Sequence, residues 1–327
     1  MQKKLASIFI SGLLFISQLA ASGVPTRFMS KTVSKFSSHF TKERELLPQA
    51  KINDLLDRGL QLESQTTLTK TLSDGGSALF PHTKISSCGD QTAAVVHACL
   101  AACQKTGKNQ ILLIGVLHSL TDILQKALYK EIDNADLSDE SCRGIFGPGL
   151  PFEEIYCEEF SLDNFIFLLD HATKRAGIES PKVIIRYANL SQGHPDTLPG
   201  IEEMTKIARD SIVVATADLC HHGVSYRVPP EEALAISSQA LDFARENIDI
   251  GLKLLSKCNY LEYRDYALKS RSDSKEIGQL LMYLLGPLDG QLRDLRLVDV
   301  SYQFEGSPQP NWVAASLVEL ISLRDPP

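Results

Sequence analysis

Three places in the sequence set imidazole or carboxylate groups just behind short apolar runs. His82 follows Ala78–Pro81, His118 follows Ile111–Leu117, and Asp218 with His221 follows Ser211–Thr216. In an open α/β sheet ligands collect outside the carboxyl ends of the strands, so loops leaving neighbouring strands on one edge bring such residues together from distant parts of the chain. Two neutral imidazoles presented in this way make a natural metal grip, because each offers one ring nitrogen with a fixed direction. The competing reading of each residue is a loop or packing histidine. Three other histidines fit that reading better: His97 lies in a helical stretch beside Ala94, Ala98 and Cys99, His194 precedes Pro195 in a loop, and His222 is expected to be structural or exposed. The sequence has no GxSxG, no GxGxxG after a strand, no GxxxxGK[ST] and no HExxH, which removes the commonest hydrolase, dinucleotide and NTPase chemistries.

The elements that must position these groups are read from periodicity. Apolar β-type runs at Ala78–Phe80, Ile111–Leu117, Lys182–Tyr187 and Ser211–Thr216 alternate with helical patterns at Gln91–Gln104, Leu162–Ala176 and Ile201–Arg209. Continuous apolar strands separated by helices imply an α/β fold with an open, largely parallel or mixed sheet covered by helices on both faces. Long helical stretches are expected at Glu231–Leu261 and Lys275–Leu285, followed by strands at Leu295–Phe304 and Trp312–Leu323 that complete the sheet. Loops are expected at Pro148–Pro151, Ser191–Pro199 and Gly286–Gly290, with a turn at Gly75 and Gly76. Ahead of the sheet, residues 24–73 read as a partly helical leader, amphipathic at Ala50–Leu62 with Leu55, Leu56 and Leu60 at helical spacing. The α/β domain is expected over 74–327.

The 327 residues are 43% hydrophobic and 22% charged, an ordinary globular composition. A net charge of -7, with no basic cluster interleaved with aromatics, makes nucleic acid a poor partner. Lys3 and Lys4, the apolar stretch Leu5–Ala20 and the small residues Ala21, Ser22 and Gly23 have the layout of a secretory signal peptide over residues 1–23. The rival is an uncleaved membrane anchor, for which the stretch is slightly short. The expected protein is therefore exported, periplasmic or secreted, with a mature form that does not span the membrane. Seven cysteines without a CxxC pair suggest neither a zinc ribbon nor a dense disulfide framework. Cys142 with Cys157 is the pair to test first, since Cys99 and Cys103 on one helix are poorly directed for bonding.

Several segments resemble the Memo family (AmmeMemoRadiSam system protein B), in consistent order over about residues 75 to 323. Phe80-Pro81-His82 with Cys88-Gly89 resembles its Pro-His-Ala-Gly segment, and Ile114-Gly115-Val116-Leu117-His118 its Gly-Pro-Ser-His segment. Ala217-Asp218-Leu219-Cys220-His221-His222-Gly223 is similar to the Ser-Ser-Asp-x-x-His-x-Gly signature, and Glu159-Phe160-Ser161-Leu162-Asp163 to Glu-His-Ser-Ile-Glu. Ile277-Gly278-Gln279-Leu280-Leu281 resembles the start of its Pro-Ile-Gly helix, and Val298–Leu317, with Trp312, the closing strand pair. The resemblance implies the scaffold of the class III extradiol dioxygenases. It also implies a pocket in which His82, His118 and a third residue hold an iron or copper ion, with Asp218 and His221 as acid/base groups acting on a small-molecule substrate.

The third family ligand is a cysteine, and Ser272 stands at its position. Two pocket histidines of the family become Phe160 and Lys275. Two readings of Asp273 follow. It could complete a two-His, one-carboxylate face, which suits non-haem Fe(II). Alternatively, with Glu276 three residues on and an apolar helix behind, it could belong to a capping box. Cys258 is a more distant substitute ligand. A metal-free binding or interaction protein on the same scaffold is the alternative to a metal-dependent oxidoreductase, and a metal-dependent hydrolase is a third option.

Overall fold

The computed structural model describes residues 31–62, 64–118, 143–150, 159–304 and 310–324. In chain order the elements are α1 (Lys31–Glu45), α2 (Gln49–Gln61), α3 (Gln65–Ser73), β1 (Ser77–Phe80), α4 (Ile85–Thr106), β2 (Gln110–Gly115) and β3 (Gly144–Phe146). They continue with α5 (Asp163–Ala176), β4 (Lys182–Asn189), α6 (Ile201–Arg209), β5 (Ile212–Thr216), β6 (His221–Gly223) and α7 (Ser238–Leu255). The chain closes with α8 (Tyr260–Lys269), α9 (Lys275–Leu285), β7 (Leu288–Asp299) and β8 (Asn311–Ser322). The eight strands form one mixed sheet in the order β3-β4-β2-β5-β1-β8-β6, with β7 paired to β8. β4, β2, β5 and β1 run parallel to one another, while β3, β8, β6 and β7 pair antiparallel to their neighbours.

Apolar residues on both sides of the central strands are the reason helices cover both faces. Leu112, Ile114, Val213, Ala215 and Leu79 face a core that includes Met204 of α6, Ile248 of α7, Tyr263 of α8 and Leu280 of α9. Their alternates Ile111, Leu113, Ile212, Val214, Ala78 and Phe80 face a second core with α2, α3, α4 and α5. Such strands read as unbroken apolar runs because neither face meets water. Gly115 ends β2 under the Tyr187 ring and against Leu162, where a Cβ would overlap both side chains.

Registers set the site edge. Phe80 pairs with Thr216, and the Ala217 amide continues the ladder by donating to the Phe80 carbonyl at 3.0 Å, so β1 and β5 end level. The loops carrying His82 and Asp218 therefore leave side by side. β8 is long enough to pair with β1 at one end and, at the other, with β6, where His221 opposes Val313. This pairing fixes His221 at the same edge.

The strands at 77–80, 110–115, 182–189 and 212–216 and the helices at 201–209 and 275–285 match the periodicity reading closely. Four expectations change. The stretch Glu231–Leu261 is not one helix. Ser237 accepts from the Ala240 amide to start α7, and Asn259 accepts from the Glu262 amide to start α8, so two N-caps divide the run. α4 begins at Ile85 rather than Gln91, because buried Cys88, Gly89 and Asp90 already lie on its first turns. β7 takes up Leu288–Gly290 from the expected loop and stops at Asp299, short of Phe304, where the Asp299 carboxylate accepts the Ser301 amide and turns the chain. On α2 the buried face is Ile52, Leu55, Leu56 and Gly59, with Leu60 outside at 50% exposure. Gly59 completes this stripe because a Cβ there would collide with Ala93 of α4.

Cys88, Cys99, Cys103, Cys220 and Cys258 are free thiols. Cys142, Cys157 and the signal-like segment 1–23 lie outside the described residues. Among the described residues, no helix is long and apolar enough to cross a membrane.

Helices α2 and α3 contribute Leu55, Leu56, Leu68 and Leu72 to the core shared with β1 and α4. Leu55→Ala should therefore lower unfolding stability by about 2–5 kcal/mol, as for other buried leucines, measured by urea titration. A loss below about 0.5 kcal/mol would show that this segment does not belong to the cooperative unit.

Candidate metal centre

His82 lies two residues beyond β1, His118 three beyond β2, Asp218 two beyond β5, His221 opens β6 and Asp273 precedes α9. Five chain-distant positions thus meet at the carboxyl edge of the parallel strands. The ligand atoms of His82, His118 and Asp273 all lie within 4.8 Å of one another, and so do those of Asp218, His221 and Asp273. The Asp273 Oδ2 atom is the centre of the arrangement. It stands 3.3 Å from His82 Nε2, 3.4 Å from His221 Nε2 and 4.0 Å from His118 Nε2.

The other nitrogen of each ring is committed elsewhere, which decides the tautomer. His118 Nδ1 lies 2.9 Å from Glu159 Oε1. Burial favours a neutral Glu159, but the His118 imidazole and its hydrogen bonds, with the Ser161 amide, hold this carboxyl below its ordinary value. Glu159 is therefore an acceptor, and His118 Nδ1 carries the proton. His221 Nδ1 lies 2.6 Å from the Arg271 carbonyl, which can only accept. Arg271 adopts the left-handed region, φ 57, in the turn that brings this carbonyl to the imidazole. His82 Nδ1 lies 3.3 Å from Thr216 Oγ1, whose own proton goes to the Phe80 carbonyl at 2.8 Å, so the hydroxyl must accept from His82. All three rings consequently turn an unprotonated Nε2 toward Asp273 when neutral. Three lone pairs facing a carboxylate oxygen repel unless a cation or a proton lies between them. Second-sphere acceptors on the far nitrogen are the usual support of metal-bound imidazoles.

Electrostatics sharpen the point. Burial alone would raise the Asp273 carboxyl, yet the imidazoles of His221, His82 and His118 outweigh it and hold the group well below the carboxylate range. At Asp218 burial dominates and pushes the carboxyl up, against the opposing pull of His82 and His221. The Asp218 side chain is 4% exposed, with Oδ2 3.8 Å from His82 Nε2. Its Oδ1 has no hydrogen-bond partner. An orphaned buried carboxylate oxygen among imidazoles is a donor set that fits a divalent or trivalent ion.

The capping reading of Asp273 fails. The N-cap of α9 is Ser274 without a side-chain bond, and the Ser274 amide instead donates to Ser272 Oγ at 3.1 Å. Glu276 does not reach back either; it accepts the Ser191 amide at 2.9 Å and the Ser191 hydroxyl. The Ser272 and Ser274 hydroxyls are hydrogen-bonded to each other at 2.7 Å. Asp273, freed of capping, faces the histidines, and its amide donates to the Asp218 carbonyl at 3.1 Å, tying the two loops together. Cys258 belongs to neither cluster; from the turn between α7 and α8 its thiol contacts the Met282 carbonyl of α9.

Three neighbours of the site carry roles that sequence spacing did not assign. Glu159 orients His118, and its burial beside the Phe160 and Ser161 amides, both donating to Oε1, is the signal that could have found it. Phe160 stacks on His118, centroids 4.6 Å apart at 17°, and Phe40 of α1 packs behind it at 5.1 Å. Tyr226 lies against His221, centroids 4.7 Å apart. Burial, then the nearby Asp273 and Asp218 charges, push its hydroxyl well above the ordinary tyrosine value. A small cleft opens beside Asp273, lined also by Leu117, Ala188 and Lys275. His97, His222 and His194 lie outside both clusters. His97 Nε2 contacts the Leu56 carbonyl, His222 stacks on Trp312 and accepts the Leu234 amide, and His194 is exposed in the 191–199 loop.

Removing the Glu159 charge leaves the His118 ring without its anionic orienter. Glu159→Gln should weaken binding of added Fe(II) or Mn(II) by about 10–100-fold while leaving the far-UV circular dichroism unchanged, measured by calorimetric titration. Unaltered affinity would mean that His118 contributes nothing to a cation site. No family model and no curated protein matches this chain.

Proposed function

We propose that the chain is an exported Memo-like metal-binding protein on an extradiol-dioxygenase type of scaffold, an oxygen-using oxidoreductase acting on a small molecule. His82, His118 and Asp273 would hold a non-haem iron or copper ion. The observation that carries this reading is the convergence of the His82 and His118 Nε2 atoms on Asp273 Oδ2, with each Nδ1 set against its own acceptor. Two imidazoles and one carboxylate with open positions are a ferrous donor set. A bound iron ion would supply the redox and Lewis-acid chemistry needed to bring dioxygen and an electron-rich ring together.

The chain's own residues do the rest. Glu159 and Thr216 hold the two imidazoles in their tautomers. Phe160 and Phe40 cover the outer face of His118 and exclude water there. His221, with Nδ1 fixed on the Arg271 carbonyl, keeps Nε2 free to accept a proton from a substrate hydroxyl, and the raised Asp218 carboxyl can hold a proton beside it. The alternative of a metal-free interaction protein draws on the loss of the family cysteine at Ser272. The adjacent Asp273 carboxylate among three imidazoles weighs against it.

Anaerobic reconstitution with Fe(II) should leave iron on the purified chain by elemental analysis. His82→Ala and His118→Ala should each weaken its retention by on the order of a hundredfold. Equally little iron, copper or zinc on the wild type and both variants would end the metal reading. With iron bound, catechol should drive oxygen uptake, and a flat oxygen trace would end the dioxygenase reading while leaving the metal site intact.

A further inference from the structure

We propose that the pocket takes two divalent cations rather than one, the second held by Asp218, His221 and a shared Asp273. This inference rests on the metal reading above and extends it.

Asp273 belongs to both groups of mutually close ligand atoms, His82/His118/Asp273 and Asp218/His221/Asp273. A single ion on the first group leaves the second with a carboxylate that is 4% exposed and has one oxygen, Oδ1, without any hydrogen-bond partner. Among the described residues the ion-pair partners of Asp218 and Asp273 are histidines alone, with no lysine or arginine neutralising either. Burying an uncompensated carboxylate is costly, and cation coordination is one of the few ways to remove that cost.

His221 is prepared in the same manner as the ligands of the first group. Its Nδ1 is committed to the Arg271 carbonyl at 2.6 Å, and its Nε2 stands 3.4 Å from Asp273 Oδ2. Were His221 solely a proton carrier, nothing would require the orphaned Asp218 oxygen beside it. A carboxylate shared between two ions about 3.5–4 Å apart is the usual geometry of two-metal sites. Mixed imidazole and carboxylate donors suit Mn(II) and Fe(II). With both ions in place, Asp218 and His221 act as ligands, and proton transfer falls to another group at the site.

Manganese(II) alone serves as the probe, on the full chain. The first equivalent should give the electron paramagnetic resonance spectrum of an isolated bound ion, and the second should convert it to an exchange-coupled spectrum, with elemental analysis finding two ions per chain. Asp218→Asn combined with His221→Gln should retain one ion and never show coupling. His221→Gln alone supplies the same loss in a milder variant should the double variant not fold. A wild type that binds one ion, uncoupled at any excess, overturns the second site and leaves the first. Two coupled ions that persist in the variants also overturn it, since other residues would then be the ligands. A wild type that binds no manganese, iron or copper overturns both readings.

Discussion

Everything at the candidate site depends on one electrostatic constraint: a carboxylate oxygen set against imidazole nitrogens that have no proton to offer it in their neutral forms. Asp273 Oδ2 has three Nε2 atoms at 3.3, 3.4 and 4.0 Å. The acceptors behind the rings differ in kind: a hydroxyl at Thr216, a carboxylate at Glu159 and a main-chain carbonyl at Arg271. Their effect is the same, because each takes the Nδ1 proton and turns the ring. Had any one of these acceptors been a donor, that ring could have turned an Nε2–H toward Asp273, and an ordinary imidazole–carboxylate hydrogen bond would have resulted. The arrangement therefore calls for positive charge, from protonated histidine or from a metal ion.

The sheet is what makes this convergence possible. Parallel strands that end level send their loops from one edge, and the β1–β5 register places the His82 and Asp218 loops beside each other. β8, running antiparallel past β1, extends far enough to hold β6 and hence His221 on that edge. The Asp273 amide then closes the ring of loops by donating to the Asp218 carbonyl. A rigid support of this kind matters because metal and proton chemistry tolerate little misplacement of the reacting groups.

Much of this was legible in the sequence, for a physical reason. The buried strands are short, apolar and bounded, so the positions just behind them stand out, and His82, His118, Asp218 and His221 were found there. Asp273 was not decided, because an acidic residue three before a glutamate at the head of an apolar helix has the same pattern whether it caps the helix or faces a pocket. The distinction lies in tertiary contacts: Ser272 supplies the local amide acceptor, and Glu276 is drawn away by the Ser191 loop across the cleft. Glu159 was hidden for a related reason, since an orienting carboxylate is defined by its partner forty-one positions away and not by local spacing. The stretch Glu231–Leu261 shows the limit on the other side, since its composition does not mark where the caps at Ser237 and Asn259 and the left-handed Cys258 divide it.

Phe160 and Ser272 each shape the surroundings of one clustered side chain. A phenylalanine at position 160 can offer neither a proton nor a ligand atom, but it stacks on His118 and is itself covered by Phe40. The outer side of that imidazole is thereby closed by apolar surface, which strengthens the Glu159 bond by excluding competing water. At position 272 a serine hydroxyl accepts the Ser274 amide, while the Asp273 carboxylate is directed inward toward the imidazoles. Imidazole and carboxylate donors of this kind suit ferrous and manganous ions. Among the described residues no sulfur donor joins the clusters, so the softest ions, such as cuprous copper, lack their preferred ligand there.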